Sequence, residues 1–222
     1  MNKNNVSTMS RNTESVLATN KVLRNTYILL STTLLFSAFT AYLSLGTMPL
    51  NPFLMLGGIY GLMFLTQKLR NSPWGLLSVF AFTGFMGYTL GPVINLYLHG
   101  FSNGPQIVGA ALGGTGMIFL GLSAYVLATG KDFSYMGGFL FVAVMVAVLG
   151  MIANLFLQLP LLQLMISSAF MLISSGLILM QTSAIINGGE TNYITATVSL
   201  FVSIYNIFLS LLNILSAFSG RD

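Results

Sequence analysis

The chain has 222 residues, of which 55% are apolar and only 5% charged, against about 25% charged in an ordinary soluble domain. With a mean hydropathy of +0.85, such a surface would not stay dissolved in water, which excludes a secreted or cytosolic globular enzyme. Eight Lys and Arg against four Asp and Glu give a net charge of +4; no nucleic-acid partner is needed to explain it, because membrane proteins gather Lys and Arg in the loops on one side.

In chain order, residues 1–25 come first. They are polar, rich in Asn, Ser and Thr, and carry Lys3, Arg11, Lys21 and Arg24 against Glu14. They lack the apolar content to fold alone, so a disordered tail is expected. The apolar run behind them is about 20 residues long, too long for the core of a cleaved secretory signal. It reads as a retained span.

A helix needs about 20 mostly apolar residues to cross a ~30 Å hydrocarbon core. Seven stretches qualify, at roughly 27–46, 52–67, 74–98, 105–128, 134–157, 161–185 and 193–217, the second being the shortest. Linkers marked by Pro and Gly separate them, and none is long enough for a soluble domain. Strands are excluded, because runs such as residues 139–157 are apolar all round instead of alternating. The expected architecture is therefore an all-α integral membrane protein. A tail over residues 1–25 precedes a seven-transmembrane-helix bundle over residues 26–218, and residues 219–222 form a short external tail.

Charge sets the expected orientation. With the N-terminus inside, Lys3, Arg11, Lys21, Arg24, Lys68, Arg70 and Lys131 fall on the cytoplasmic face and Arg221 alone falls outside. That asymmetry predicts a cytoplasmic N-terminus, an odd span count and an external C-terminus.

No Asp, Glu, Lys, Arg or His lies clearly inside the seven stretches, which argues against a proton-coupled pump or a voltage-gated channel. The polar groups at membrane depth are amides and hydroxyls: Asn95, Asn154, Gln158, Gln163, Gln181, Asn206, Asn213, and Ser174, Ser175 and Ser203. Such groups serve chiefly as hydrogen bonds between helices. Small residues four apart, at Gly57/Gly61, Gly87/Gly91 and Gly109/Gly113, are expected to let helices approach within the bundle. Trp74, Tyr27, Tyr97 and Tyr193 stand near span ends, as interfacial aromatics do.

Catalytic constellations are missing. Gly121-Leu122-Ser123-Ala124 faintly resembles an intramembrane serine-protease motif, but its base would have to be His99, the single His, in an external linker. Gly113-Gly114-Thr115-Gly116 has no following Lys and sits in an apolar span, so it is no phosphate loop. With no Cys and one His, a conventional metal site is not expected either, nor is any cofactor. The chain reads as a non-enzyme.

Several blocks carry a specific resemblance: KVLRNTYILLSTTLLFSAFTA (21–41), YGLMFLTQKLRN (60–71), AFTGFMGYTLGPVINLYL (81–98), NLFLQLP (154–160) and GGETNYITATVSLFVSIYNIF (188–208). Together they resemble a bacterial branch of the Bax inhibitor (TMBIM) family, from about residue 20 to the C-terminus. The resemblance implies a seven-helix bundle with the last helix central and surrounded by the others. It also implies a bacterial inner-membrane protein that is both substrate and modulator of the membrane AAA protease FtsH and associates with its HflK/HflC partners. The cytosolic tail, with Lys3, Arg11, Glu14, Lys21 and Arg24, would be the protease's handle.

Other branches of that family are calcium leaks gated by a pair of acidic residues in the sixth and seventh helices. The aligned positions here are Gln181 and Ser203, both uncharged. Two carboxylates titrate near neutrality because like charges resist ionising together, and an amide with a hydroxyl has no such property. The alternative function is thus a passive cation (calcium) leak past Gln181, Ser203 and Asn206 without the di-acidic pH gate.

Overall fold

The computed structural model describes residues 3–219, with side chains from residue 19 onward. Every regular element among them is helical: α1 (Lys3–Leu43), α2 (Pro52–Leu69), α3 (Trp74–Gly100), α4 (Gly104–Thr129), a short 3-10 turn (Ser134–Met136), α5 (Gly137–Leu157), α6 (Pro160–Ile186) and α7 (Tyr193–Ser219). Local chemistry sets these limits. Pro52, Pro105 and Pro160 occupy the first turns of α2, α4 and α6, where a missing N–H costs nothing. The Asn51 side chain accepts from the Phe53 N–H at 2.9 Å and so caps α2. At the far end of α4, Gly130 takes a φ of 63° and its N–H closes on the Val126 carbonyl.

Two boundaries differ from the sequence expectation. Residues 19–25, assigned to the tail, are helical and continuous with the first span. The reason is packing: Val22 and Leu23, partly buried, lie against the main hydrophobic core. Six helices, and not seven, are long and apolar enough to cross a membrane among the described residues. The exception is α2, whose 18 residues span about 27 Å at 1.5 Å per residue. Its last turn, with Gln67 and Lys68, is polar.

The helices pack unevenly. α7 lies against α1, α2, α3, α4 and α6, and buries Leu200, Phe201, Ile207 and Leu212 almost completely. α1 lies in a seam on α3, where a Cβ at Gly87 would run into the Ser37 carbonyl oxygen, and one at Gly91 into the Ser44 hydroxyl and the Ala41 carbonyl. The other two glycine pairs do not pack. A Cβ at Gly57, Gly61, Gly109 or Gly113 would meet nothing within 4 Å. Four-residue spacing places two glycines on one face, but it does not say whether that face looks inward.

Among the described residues, α5 packs only on α6 and the turn before it. It is the most apolar of the six spans and the least buried, whereas α3 is the most buried and among the least apolar. The expected amide glue is present at the α5–α6 turn: Asn154 donates to the Gln163 side chain at 2.9 Å and accepts from the Leu159 N–H at 3.0 Å.

The charged loops meet at one end of the bundle. Asn192, after α6, donates to the Arg70 carbonyl at 3.2 Å and to the Asn71 side chain at 2.8 Å, tying the α2–α3 and α6–α7 turns together. Ser183 donates to Asp132 at 3.2 Å and accepts from the Phe133 N–H at 2.8 Å, holding the α4–α5 loop to α6. Thr197 on α7 reaches the Thr26 carbonyl of α1 at 3.4 Å, so Lys21 and Arg24, both exposed, stand at this end too.

Candidate functional site

In helices, Ser and Thr ordinarily satisfy their hydroxyls on the carbonyl three or four residues back. Many do so here, such as Ser167 on Gln163 (3.0 Å) and Thr115 on Ala111 (2.7 Å). Eight buried side-chain atoms among the described residues have no partner at all. Seven of them belong to Thr26 and Tyr27 on α1, Ser123 on α4, Ser174, Gln181 and Thr182 on α6, and Thr195 on α7. These lie between mid-membrane and the charged end, on four helices of which α6 packs against the other three. Buried polar atoms without a protein partner are the groups that recruit ordered water. The chemistry of the cluster is neutral: hydroxyls, one phenol and one amide, able to solvate a path but not to hold a charge.

The sequence-predicted residues fall around this cluster. Gln181 belongs to it, its Nε2 buried and unpaired. Ser203 is buried and donates to the Ser199 carbonyl at 2.9 Å, so its proton is committed to its own helix. Asn206 is half-buried on the same face of α7. Counting symmetrically about the α6–α7 turn, Gln181 stands opposite residue 198, which separates it from the level of Ser203 by about 7.5 Å. Ser199, Ser203, Asn206, Ser210 and Asn213 make a polar stripe along α7 at three- and four-residue spacing. Ser203 and Ser210 are 2% and 4% exposed, so the stripe faces protein and not lipid.

Glu190, the carboxylate nearest in sequence, does not reach into the bundle; it accepts from the Asn192 N–H at 2.7 Å within its own turn. Asp132 lies on the loop, where the Ser134 hydroxyl and N–H, and then Ser183, hold its carboxyl below the usual carboxylate range. Lys3, Arg11 and Glu14 lie outside the residues whose side chains are described.

Other readings resolve by geometry. His99 closes α3 with its Nδ1 3.1 Å from the Asn95 carbonyl. Ser123 stands 19 residues into α4 from that end, about 28 Å away along the axis, so no dyad forms. Tyr27 is not an interfacial aromatic. It packs on Phe119 with ring centroids 6.0 Å apart, and its hydroxyl is one of the buried unpaired atoms. Sequence reasoning does not find the unpaired hydroxyls of Thr26, Tyr27, Ser123 and Thr195; their one signal is that hydroxyls sit near the same end of three different helices.

The family described as inhibitor of apoptosis-promoting Bax1 matches residues 19–220. The protein named modulator of FtsH protease YccA, from Escherichia coli strain K12, is 57% identical over 215 residues, covering 96% of this chain and 97% of that relative. The inner membrane protein YccA of Escherichia coli O6:H1 gives the same figures, 57% over 215 residues. A membrane protein of uncharacterized function from Vibrio cholerae serotype O1 is 45% identical over 218 residues, 97% of either chain. Matched from its first long span to the end of its last, the chain is a membrane protein that belongs to the family of inhibitors of apoptosis-promoting Bax1.

Proposed function

We propose that this chain is an inner-membrane modulator, and itself a substrate, of an FtsH-type membrane AAA protease, acting in membrane-protein quality control without catalysis of its own. The observation that carries the reading is the 57% identity, over 96% of the chain, to the relative named as modulator of that protease. HflK/HflC-type proteins would share the complex. The charged loops gathered at one end support a cytoplasmic N-terminus there and a periplasmic C-terminus. On this reading α2 is the seventh span and α7 the central helix, in keeping with its five packing partners.

The tail ahead of the first span, with Lys3, Arg11, Glu14, Lys21 and Arg24, is the handle for the protease. A handle joined to a bundle that resists extraction occupies a processive protease. The test is co-purification of the full-length protein and a residue 21–222 form with the protease, alongside the degradation rate of a known membrane substrate. The full-length protein binds and slows degradation, and the shortened form does so less. If neither binds, the reading falls.

The α7 stripe favours a second reading, a passive cation leak. From Ser199 to Asn213 it extends about 21 Å, roughly two-thirds of the ~30 Å hydrocarbon core. Purified protein in liposomes would then pass calcium at a rate insensitive to pH between about 5 and 8. Gln181→Asp with Ser203→Asp would add a pH response. A flat response from the folded double variant would count against the assignment of those two positions.

A further inference from the structure

At the end of the bundle opposite the charged loops, α1, α3, α4 and α7 enclose a cavity of about 430 Å³. Its walls are almost entirely carbon, with Leu34 and Ala38 from α1, Leu112 and Gly116 from α4, and Ile204 and Phe208 from α7. Small residues make it hollow: a Cβ at Gly116 would meet nothing within 4 Å. α1 and α4 do not pack backbone against backbone among the described residues. They touch through Tyr27 and Phe119, and Phe119 lines the cavity's side toward the charged end. Beyond that ring pair the space between the two helices opens sideways, where Ala38, Tyr42 and Leu112 are exposed.

The occupant follows from chemistry and size. Of the four hydroxyls on the wall, those of Thr115 and Tyr205 are engaged, on the Ala111 carbonyl at 2.7 Å and with Thr89 at 3.3 Å, leaving Ser37 and Tyr42. They leave little to orient a polar ligand, and water does not stay in apolar cavities. A transmembrane helix is 10–12 Å across, so the space would admit about one turn of it. At about 30 Å³ for a water-sized group, it accepts on the order of 14 methylenes. The geometry points to a binding site for one acyl chain of a bilayer phospholipid, entering between α1 and α4.

The test uses full-length protein reconstituted in vesicles of phosphatidylethanolamine and phosphatidylglycerol, extracted in detergent and weighed by native mass spectrometry. One phospholipid per chain stays bound at detergent concentrations that strip the remaining lipid. Gly116→Phe and Ala38→Phe, which fill the cavity from opposite walls, each lower that occupancy at least fivefold. Ala143→Phe, in the separate groove of about 540 Å³ between α5 and α6, leaves it unchanged. Thermal unfolding identifies any variant that fails to fold, in which case the variant on the other wall decides. The site is refuted if the unsubstituted protein retains no phospholipid or only free fatty acid. It is equally refuted if the folded cavity-filling variants retain as much as the unsubstituted protein, or if Ala143→Phe lowers occupancy as they do.

Discussion

Toward the charged end, the interior between α1, α4, α6 and α7 holds buried hydroxyls and an amide with no protein partner. Toward the other end, α1, α4 and α7 join α3 around a space walled by carbon. Three helices thus serve two opposed interiors, and the difference lies in what each lacks. The first lacks acceptors and donors, which ordered water is suited to supply. The second lacks side-chain volume, which hydrocarbon supplies. Small residues also take two roles at this second end. Gly87 and Gly91 bring α1 onto α3, while Gly116 and Ala38 hold α4 and α1 apart from anything that would fill the gap.

The largest expected effect separates those two roles. Gly91→Leu drives a side chain into the Ala41 carbonyl and Ser44 and lowers stability by about 3 kcal/mol or more. Gly109→Leu, facing open space, changes it by less than about 0.5 kcal/mol. Thermal unfolding in detergent reads both, and equal losses would erase the distinction. Next is Phe201→Ala, which removes a buried ring lying between Phe82 and Tyr205. Lipid is as apolar as the core, so the transfer term largely cancels and the cavity term remains, about 2 kcal/mol.

At the polar end, Thr182→Val and Ser174→Ala should each shift stability by less than about 1 kcal/mol, because a hydroxyl bonded to water is lost at little net cost. A gain of 2 kcal/mol or more from either would mean a dry, unsatisfied hydroxyl and would end the contrast between the two interiors. The smallest effect concerns pH. Asp132 has a lowered folded pKa, so its contribution is present above its unfolded value and is lost as pH falls through the folded one. Melting temperature measured against pH should show no pH dependence from Asp132 between pH 5 and 8, where its contribution is fully present, and a loss of that contribution only in acid. Asp132→Asn removes that acid-side dependence.

Most of the architecture was legible because hydropathy and punctuation agree. Pro52, Pro105, Pro160 and Gly130 mark helix limits that the apolar runs already suggest. The start of α1 was not legible, since Val22 and Leu23 sit in a polar sequence and are recruited by contacts distant in the chain. Facing was not legible either. Three glycine pairs share one spacing and only one of them packs. The site was half legible: Gln181 and the α7 stripe could be read from one helix at a time. The cavity, made of side chains missing from several helices at once, could not.

The contrast in apolarity between α5 and the first spans bears on how the chain is made. α5, richest in apolar residues and gripped by one neighbouring helix, is the span best suited by hydropathy to partition into lipid by itself. α1 and α3 are the two least apolar spans, and each would linger at the lateral gate alone. The seam at Gly87 and Gly91 makes them a pair, and both are synthesised within the first hundred residues. The ribosome thus delivers these two spans early, as a parallel pair joined through α2, whose own contacts hold it in the bilayer while the later helices are still being translated.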